Sequence, residues 1–123
     1  MGHALTASEV AVSPDGRFVY VGCRGEKQDH VAIFRRDPGT GAVSWSEWVE
    51  SGGRNLRHFS LSPDPEARYL AAGHQATGNV TIMERDGEKG SLRRVSEVGG
   101  MGMVAFAGFI PEHPRHDKDV QLL

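Results

Sequence analysis

Ser8-Glu9-Val10-Ala11-Val12-Ser13-Pro14-Asp15-Gly16-Arg17-Phe18-Val19-Tyr20-Val21 reads as a hairpin, with two short β-rich runs on either side of a turn. Proline presets φ, and Asp and Gly accept the tight backbone, so Ser13-Pro14-Asp15-Gly16 supplies the reversal. The same landmarks return further along. Ser13-Pro14-Asp15 recurs 49 residues on as Ser62-Pro63-Asp64, and Val31-Ala32-Ile33-Phe34 recurs 49 residues on as Val80-Thr81-Ile82-Met83. The run from Phe18 to Val21 matches Tyr69 to Ala72 at 51, because Pro65-Glu66-Ala67 stand where the first copy has Gly16 alone. Asp37 and Gly41 reappear as Asp86 and Gly90. Four landmarks in constant order define a duplicated unit.

Inside each copy, short alternating runs are broken by turn residues, and no window sustains the 3.6-residue period of a helix. The unit is therefore all-β. Strands are expected over residues 8–12, 17–23, 30–35 and 42–50, then over 56–61, 68–73, 79–84 and 91–98. A ninth run, 103–109, is expected to be the first strand of a third unit. Trp45 and Trp48, three apart on an outer strand, are expected on opposite faces of the pleat.

A four-stranded repeat of roughly 40 to 50 residues is the period of propeller blades, each of which buries a face on its neighbour. The fold expected is all-β, a partial β-propeller of two four-stranded antiparallel blades (8–50 and 56–98) with the first strand of a closing blade (103–109). This makes one domain over 1–110, followed by a polar tail at 111–123. Propellers close with roughly four to eight blades. The chain is accordingly expected to be part of a longer propeller, or to complete a ring by association through its open blade edges.

Composition narrows the partners. The 123 residues are 38% apolar and 24% charged with a formal net charge of -2, so the basic stripe of a nucleic-acid binder is missing. The apolar run 103–110 is far short of the ~20 residues of a membrane-spanning helix. Neither nucleic acid nor membrane is expected as a partner. Cys23 is the single cysteine and cannot form an internal disulfide, which together with the expected lack of a secretory leader points to the cytoplasm. His113 and His116 are interrupted by Pro114 and are not expected to hold a metal.

Blade topology selects the candidate site. Successive hairpins reverse direction, so the start of an innermost strand and the end of the second strand share one side of the ring. Glu9, Arg57 and His58 stand at innermost-strand starts, and Arg24 and Gln75 follow second-strand ends. All five are expected to converge. His58 also occupies the blade position of Glu9, 49 residues later.

The string from Ala7 to Val21, continued by Cys23-Arg24-Gly25, is similar to the penultimate blade of the seven-bladed lactonase propellers, the family of 6-phosphogluconolactonases and carboxymuconate cyclases. Leu56-Arg57-His58-Phe59-Ser60-Leu61-Ser62-Pro63 with Ala71-Ala72-Gly73-His74-Gln75 resembles its next blade, and Gly99-Gly100-Met101-Gly102-Met103-Val104 its closing strand. The resemblance implies the carboxy-terminal part of such a protein, a sugar lactone such as 6-phosphogluconolactone as small-molecule substrate, and no metal or organic cofactor. A lactonase must activate water and hold the oxyanion that forms on attack. In that reading Glu9 suits the base, Arg57 the anionic group or oxyanion, and Arg24, His58 and Gln75 the binding of substrate. Other readings of the same residues are a carboxymuconate cycloisomerase, a non-catalytic propeller remnant used for binding or assembly, and an ion pair between Glu9 and Arg57 that only fixes ring geometry.

Overall fold

The computed structural model describes residues 6–110, and in it each copy of the repeat is one antiparallel sheet. The first holds β1 (Thr6–Val12), β2 (Phe18–Arg24), β3 (Asp29–Arg36) and β4 (Val43–Glu50) in that order; the second holds β5 (Leu56–Leu61), β6 (Tyr69–His74), β7 (Asn79–Arg85) and β8 (Leu92–Val98). Both are simple meanders. The expected strands agree with these to within two residues at every end, because turn residues mark each boundary. The tail at 111–123, with His113 and His116, lies outside the described residues.

Ser13 and Ser62 organise equivalent turns. Each hydroxyl accepts the first N–H of the next strand, from Phe18 at 3.1 Å and from Tyr69 at 3.0 Å, and donates to the Asp two residues on. That aspartate then accepts the N–H of Arg17 or Arg68. The hydroxyl bonds hold the Asp15 and Asp64 carboxyls below their ordinary value. In the second turn Ala67 adopts φ 45°, the left-handed conformation that Gly16 takes in the first at φ 74°. The Ala67 carbonyl is tied down by Arg85 Nε at 2.8 Å.

The core lies between the two sheets. Tyr20 and Ile33 of the first meet Leu56, Phe59, Leu70 and Met83 of the second, all almost wholly buried. Gly22 sets how closely the sheets approach, since a Cβ there would stand 3.0 Å from the Phe59 ring and 3.1 Å from Leu56. Fifty-one residues on, Gly73 repeats the arrangement, and a Cβ there would stand 2.7 Å from Val104 and 3.2 Å from Ala107. Residues 103–110 therefore lie on the second sheet where β5 lies on the first.

Two expectations change. The run 103–109 forms no strand ladder. An innermost blade strand pairs only with the second strand of its own blade, and the described residues contain none for it. Trp45 and Trp48 share a face rather than opposing one another. A register shift beside Ile33 and Phe34 sets Trp45 opposite Phe34 and Trp48 opposite Ala32, two residues apart on β3, and brings the indole centroids to 6.2 Å.

Candidate functional site

The starts of β1 and β5 stand at the same end of the two sheets, and the duplication makes them touch. Both strands carry a bulge at this point, between Ala7 and Val10 and between Leu56 and His58. Leu56 and Phe59 both face Gly22, so Arg57 and His58, the two residues between them, project to the other side.

Glu9 Oε2 lies 3.1 Å from His58 Nε2, and Glu9 Oε1 accepts the N–H of Val10 at 3.2 Å. The His58 ring is held on three sides. Its Nδ1 meets Ala107 N at 3.1 Å and Ala107 O at 2.9 Å, and its face stacks on Phe106 with centroids 4.2 Å apart. The tautomer decides which of these contacts are hydrogen bonds: Nδ1 accepts the Ala107 N–H or, when protonated, donates to Ala107 O, and a protonated Nε2 donates to the Glu9 carboxylate. Positions 9, 58 and 107, each 49 apart, thus contact one another in succession. The carboxylate–imidazole pair is partly open to solvent.

The remaining candidates differ in how free they are. Arg57 is exposed and bonds to no other described residue through its side chain. Its cationic partner role in an ion pair with Glu9 is not what the structure shows; His58 takes that place. Arg24 Nε donates to Leu56 O at 2.9 Å, joining the end of β2 to the start of β5. Gln75 continues the β6 end, its N–H donating to Asn55 O at 2.8 Å and its side-chain oxygen lying 3.4 Å from Asn55 Nδ2. All five residues stand at one end, with Arg24 and Gln75 partly used in holding the sheets together.

Asp29, which the sequence reading passed over, organises this end from beneath. It is 2% exposed, accepting the Leu56 N–H at 2.7 Å and the Gly25 N–H at 3.2 Å, with Arg54 Nη2 3.9 Å away. Its signal was a break in the repeat, since the equivalent position 49 residues on is Gly78. His74 was also passed over. It is fully buried, with Nε2 2.9 Å from Ser51 Oγ and Nδ1 3.3 Å from Asn79 O. This serine–histidine pair has no solvent face for a substrate, and burial pushes the His74 ring below its ordinary value. Among the described residues no group of three His, Cys, Asp or Glu side chains could hold a metal.

Clefts of about 530 and 490 Å³ lie among the turns at the opposite end, lined by residues such as Arg68 and Asp86 or Arg36 and Asp37. The carboxylate–imidazole pair instead sits on an open tip.

Comparison with known proteins agrees with this architecture. The family model described as "Lactonase, 7-bladed beta-propeller" matches residues 2–106. A 6-phosphogluconolactonase of Bacillus subtilis is 39% identical over 85 residues, 69% of this chain and 23% of that protein. One from Formosa agariphila is 30% identical over 91 residues, 74% of this chain and 25% of that protein. The solved structure of a Pseudomonas aeruginosa periplasmic gluconolactonase superimposes with a TM-score of 0.75 at 25% identity, covering 84% of this chain and 28% of that one. The chain spans about a quarter of the length of the relatives it matches. No helix among the described residues is long and apolar enough to cross a membrane.

Proposed function

The chain belongs to the seven-bladed β-propeller lactonase family, and from that premise we propose that it hydrolyses a sugar lactone such as 6-phosphogluconolactone. The observation that carries the reading is the juxtaposition, at one blade tip, of a carboxylate fixed by an imidazole at 3.1 Å with an exposed arginine that has no bond to another described residue. The name 6-phosphogluconolactonase borne by two relatives supports the substrate class.

In the proposed reaction Glu9 takes a proton from water as its oxygen attacks the lactone carbonyl carbon. The carbonyl oxygen becomes an oxyanion, the ring C–O bond then breaks as the oxyanion re-forms the carbonyl, and the ring oxygen takes the proton that Glu9 held, giving a hydroxy acid and restoring the carboxylate. His58 holds Glu9 Oε2 in place through Nε2. Arg57 supplies a forked set of donors for the oxyanion or for the substrate's phosphate, a geometry that lysine lacks. Arg24 and Gln75 flank the substrate. A cytoplasmic location belongs to the same proposal and rests on the lone Cys23.

The test is the rate of ring opening of 6-phosphogluconolactone by the 123-residue chain, measured by pH-stat against the spontaneous reaction. Glu9→Gln and Arg57→Ala should each lower the catalysed rate at least about a hundredfold. Rates unchanged in both variants would remove these residues from the site.

A further inference from the structure

Arg24 and Asp29 stand directly opposite one another across the β2–β3 ladder, and both side chains reach the same residue of the next sheet. Asp29 Oδ2 accepts the Leu56 N–H at 2.7 Å, and Arg24 Nε donates to Leu56 O at 2.9 Å. Leu56 opens β5, so a cross-strand pair of the first sheet grips the backbone of the second at its first residue. The main chain of Asp29 holds the other end of the connection between the sheets. Its carbonyl accepts the Ser51 N–H at 2.9 Å and the Ser51 hydroxyl at 3.2 Å. Asn55, the residue before Leu56, takes φ 60°, a left-handed conformation that asparagine adopts more readily than most residues. The connection 51–55 thus turns between two points that Asp29 fixes.

The repeat separates what is general in this arrangement from what is not. The main-chain tie recurs in the second copy, where the Met101 N–H donates to Gly78 O at 2.8 Å. The side-chain grip does not, because the equivalents of Arg24 and Asp29 are Gln75, 51 residues on, and Gly78, 49 residues on, which has no side chain to accept an N–H. Among the described residues the grip is made once, on the strand that carries Arg57 and His58. The bulge of β5 begins at Leu56 and ends at His58, so the place of Leu56 decides where both side chains point. Asp29 itself is buried and has little freedom: Oδ1 accepts the Gly25 N–H at 3.2 Å, and Arg54 Nη2, which donates to Gly25 O at 2.8 Å, stands 3.9 Å away.

We propose that Asp29 is a positioning residue for the candidate site: by fixing Leu56 it sets the bulge that aims Arg57 and His58, and so holds the imidazole against Glu9. It acts through the backbone and touches no substrate. Its effect on ring opening rests on the lactonase reading above, whereas its effect on the geometry of the pair does not.

The test compares the unaltered chain with Asp29→Asn and Tyr20→Phe by the through-space NMR contacts of the His58 ring. Asp29→Asn keeps the size of the side chain but turns an amide donor toward one of the two backbone N–H groups. Tyr20→Phe removes an inter-sheet hydrogen bond at the opposite end, from the Tyr20 hydroxyl to Gly90 O at 2.8 Å, and so controls for a general loosening of the sheets. Asp29→Asn should lose the cross-peak between His58 and Glu9 and keep those to Phe106 and Ala107, which lie on the same sheet as His58. Tyr20→Phe should keep all of them. Circular dichroism checks that each variant folds, and Asp29→Ser, which retains one oxygen, replaces Asp29→Asn if that chain does not. In an active chain Asp29→Asn should also lower kcat at least about tenfold, and Tyr20→Phe by less than about twofold, since a misplacement of about 1 Å costs up to about a hundredfold. A His58–Glu9 cross-peak of full intensity in Asp29→Asn, or its equal loss in Tyr20→Phe, would overturn the proposal. Loss of that contact with kcat unchanged would uphold the positioning role and remove Glu9 as the base. An unaltered chain with no activity would overturn the lactonase reading, and the cross-peaks would still decide the role of Asp29.

Discussion

His74 and Asp29 show how much of this protein rests on single buried polar groups. Burial disfavours a charged imidazole, so the native His74 pKa lies below 6.5 while the unfolded chain titrates near the ordinary value of about 6.5. Below that pH the unfolded state takes up a proton that the native state refuses, and stability falls as pH falls. The aspartates act in the same direction but lower down. Asp15, Asp64 and Asp86 are held below 3.8, so their contribution is present above that value and is lost only as pH falls through their lowered values. Urea midpoints measured between about pH 7 and pH 5 should decline in the unaltered chain and decline less in His74→Gln. A slope identical in both would show that His74 is not the group responsible. Sequence reading could place Glu9, Arg24, Arg57, His58 and Gln75 at one end because topology alone dictates it. It passed over Asp29 and His74, whose roles come from burial; Asp29 left only the break in the repeat against Gly78, and His74 left no pattern along the chain.

At the scale of strands and sheets, boundaries were legible and registers were not. Ser-Pro-Asp turns and the Asp37 and Asp86 loops punctuate the chain, so eight strands could be read within two residues of their places. A bulge depends on how one strand pairs with the next, which residue types along a single strand do not encode. That is why Trp45 and Trp48 were expected on opposite faces; the run 103–109 was expected as a strand from its position after the second copy, and among the described residues it pairs with none. Sheet-to-sheet approach belongs to this scale too. Gly22→Val would press side-chain carbons into Phe59 and Leu56, which stand 3.0 and 3.1 Å from where a Cβ would sit. We expect a loss of about 1–3 kcal/mol in urea denaturation, the usual range for overpacking a core. Stability equal to that of the unaltered chain would mean that the sheets do not pack as closely as described.

For the molecule as a whole, the 49-residue period ties fold and site together. It stacks one sheet on the next, and it brings equivalent positions of successive units, Glu9, His58 and Ala107, into a chain of contacts at a single end. The period was legible from the sequence alone, and so was the family. The partners within the site were not, because Glu9 pairs with His58 across the sheets and leaves Arg57, its partner in one of the alternative readings, open to solvent. The most direct test of that succession is the set of through-space NMR contacts of the His58 ring protons. The account predicts cross-peaks both to the Glu9 side chain on one side and to Phe106 and Ala107 on the other. A ring that sees neither neighbour, in a chain whose eight strands are otherwise intact, would contradict it.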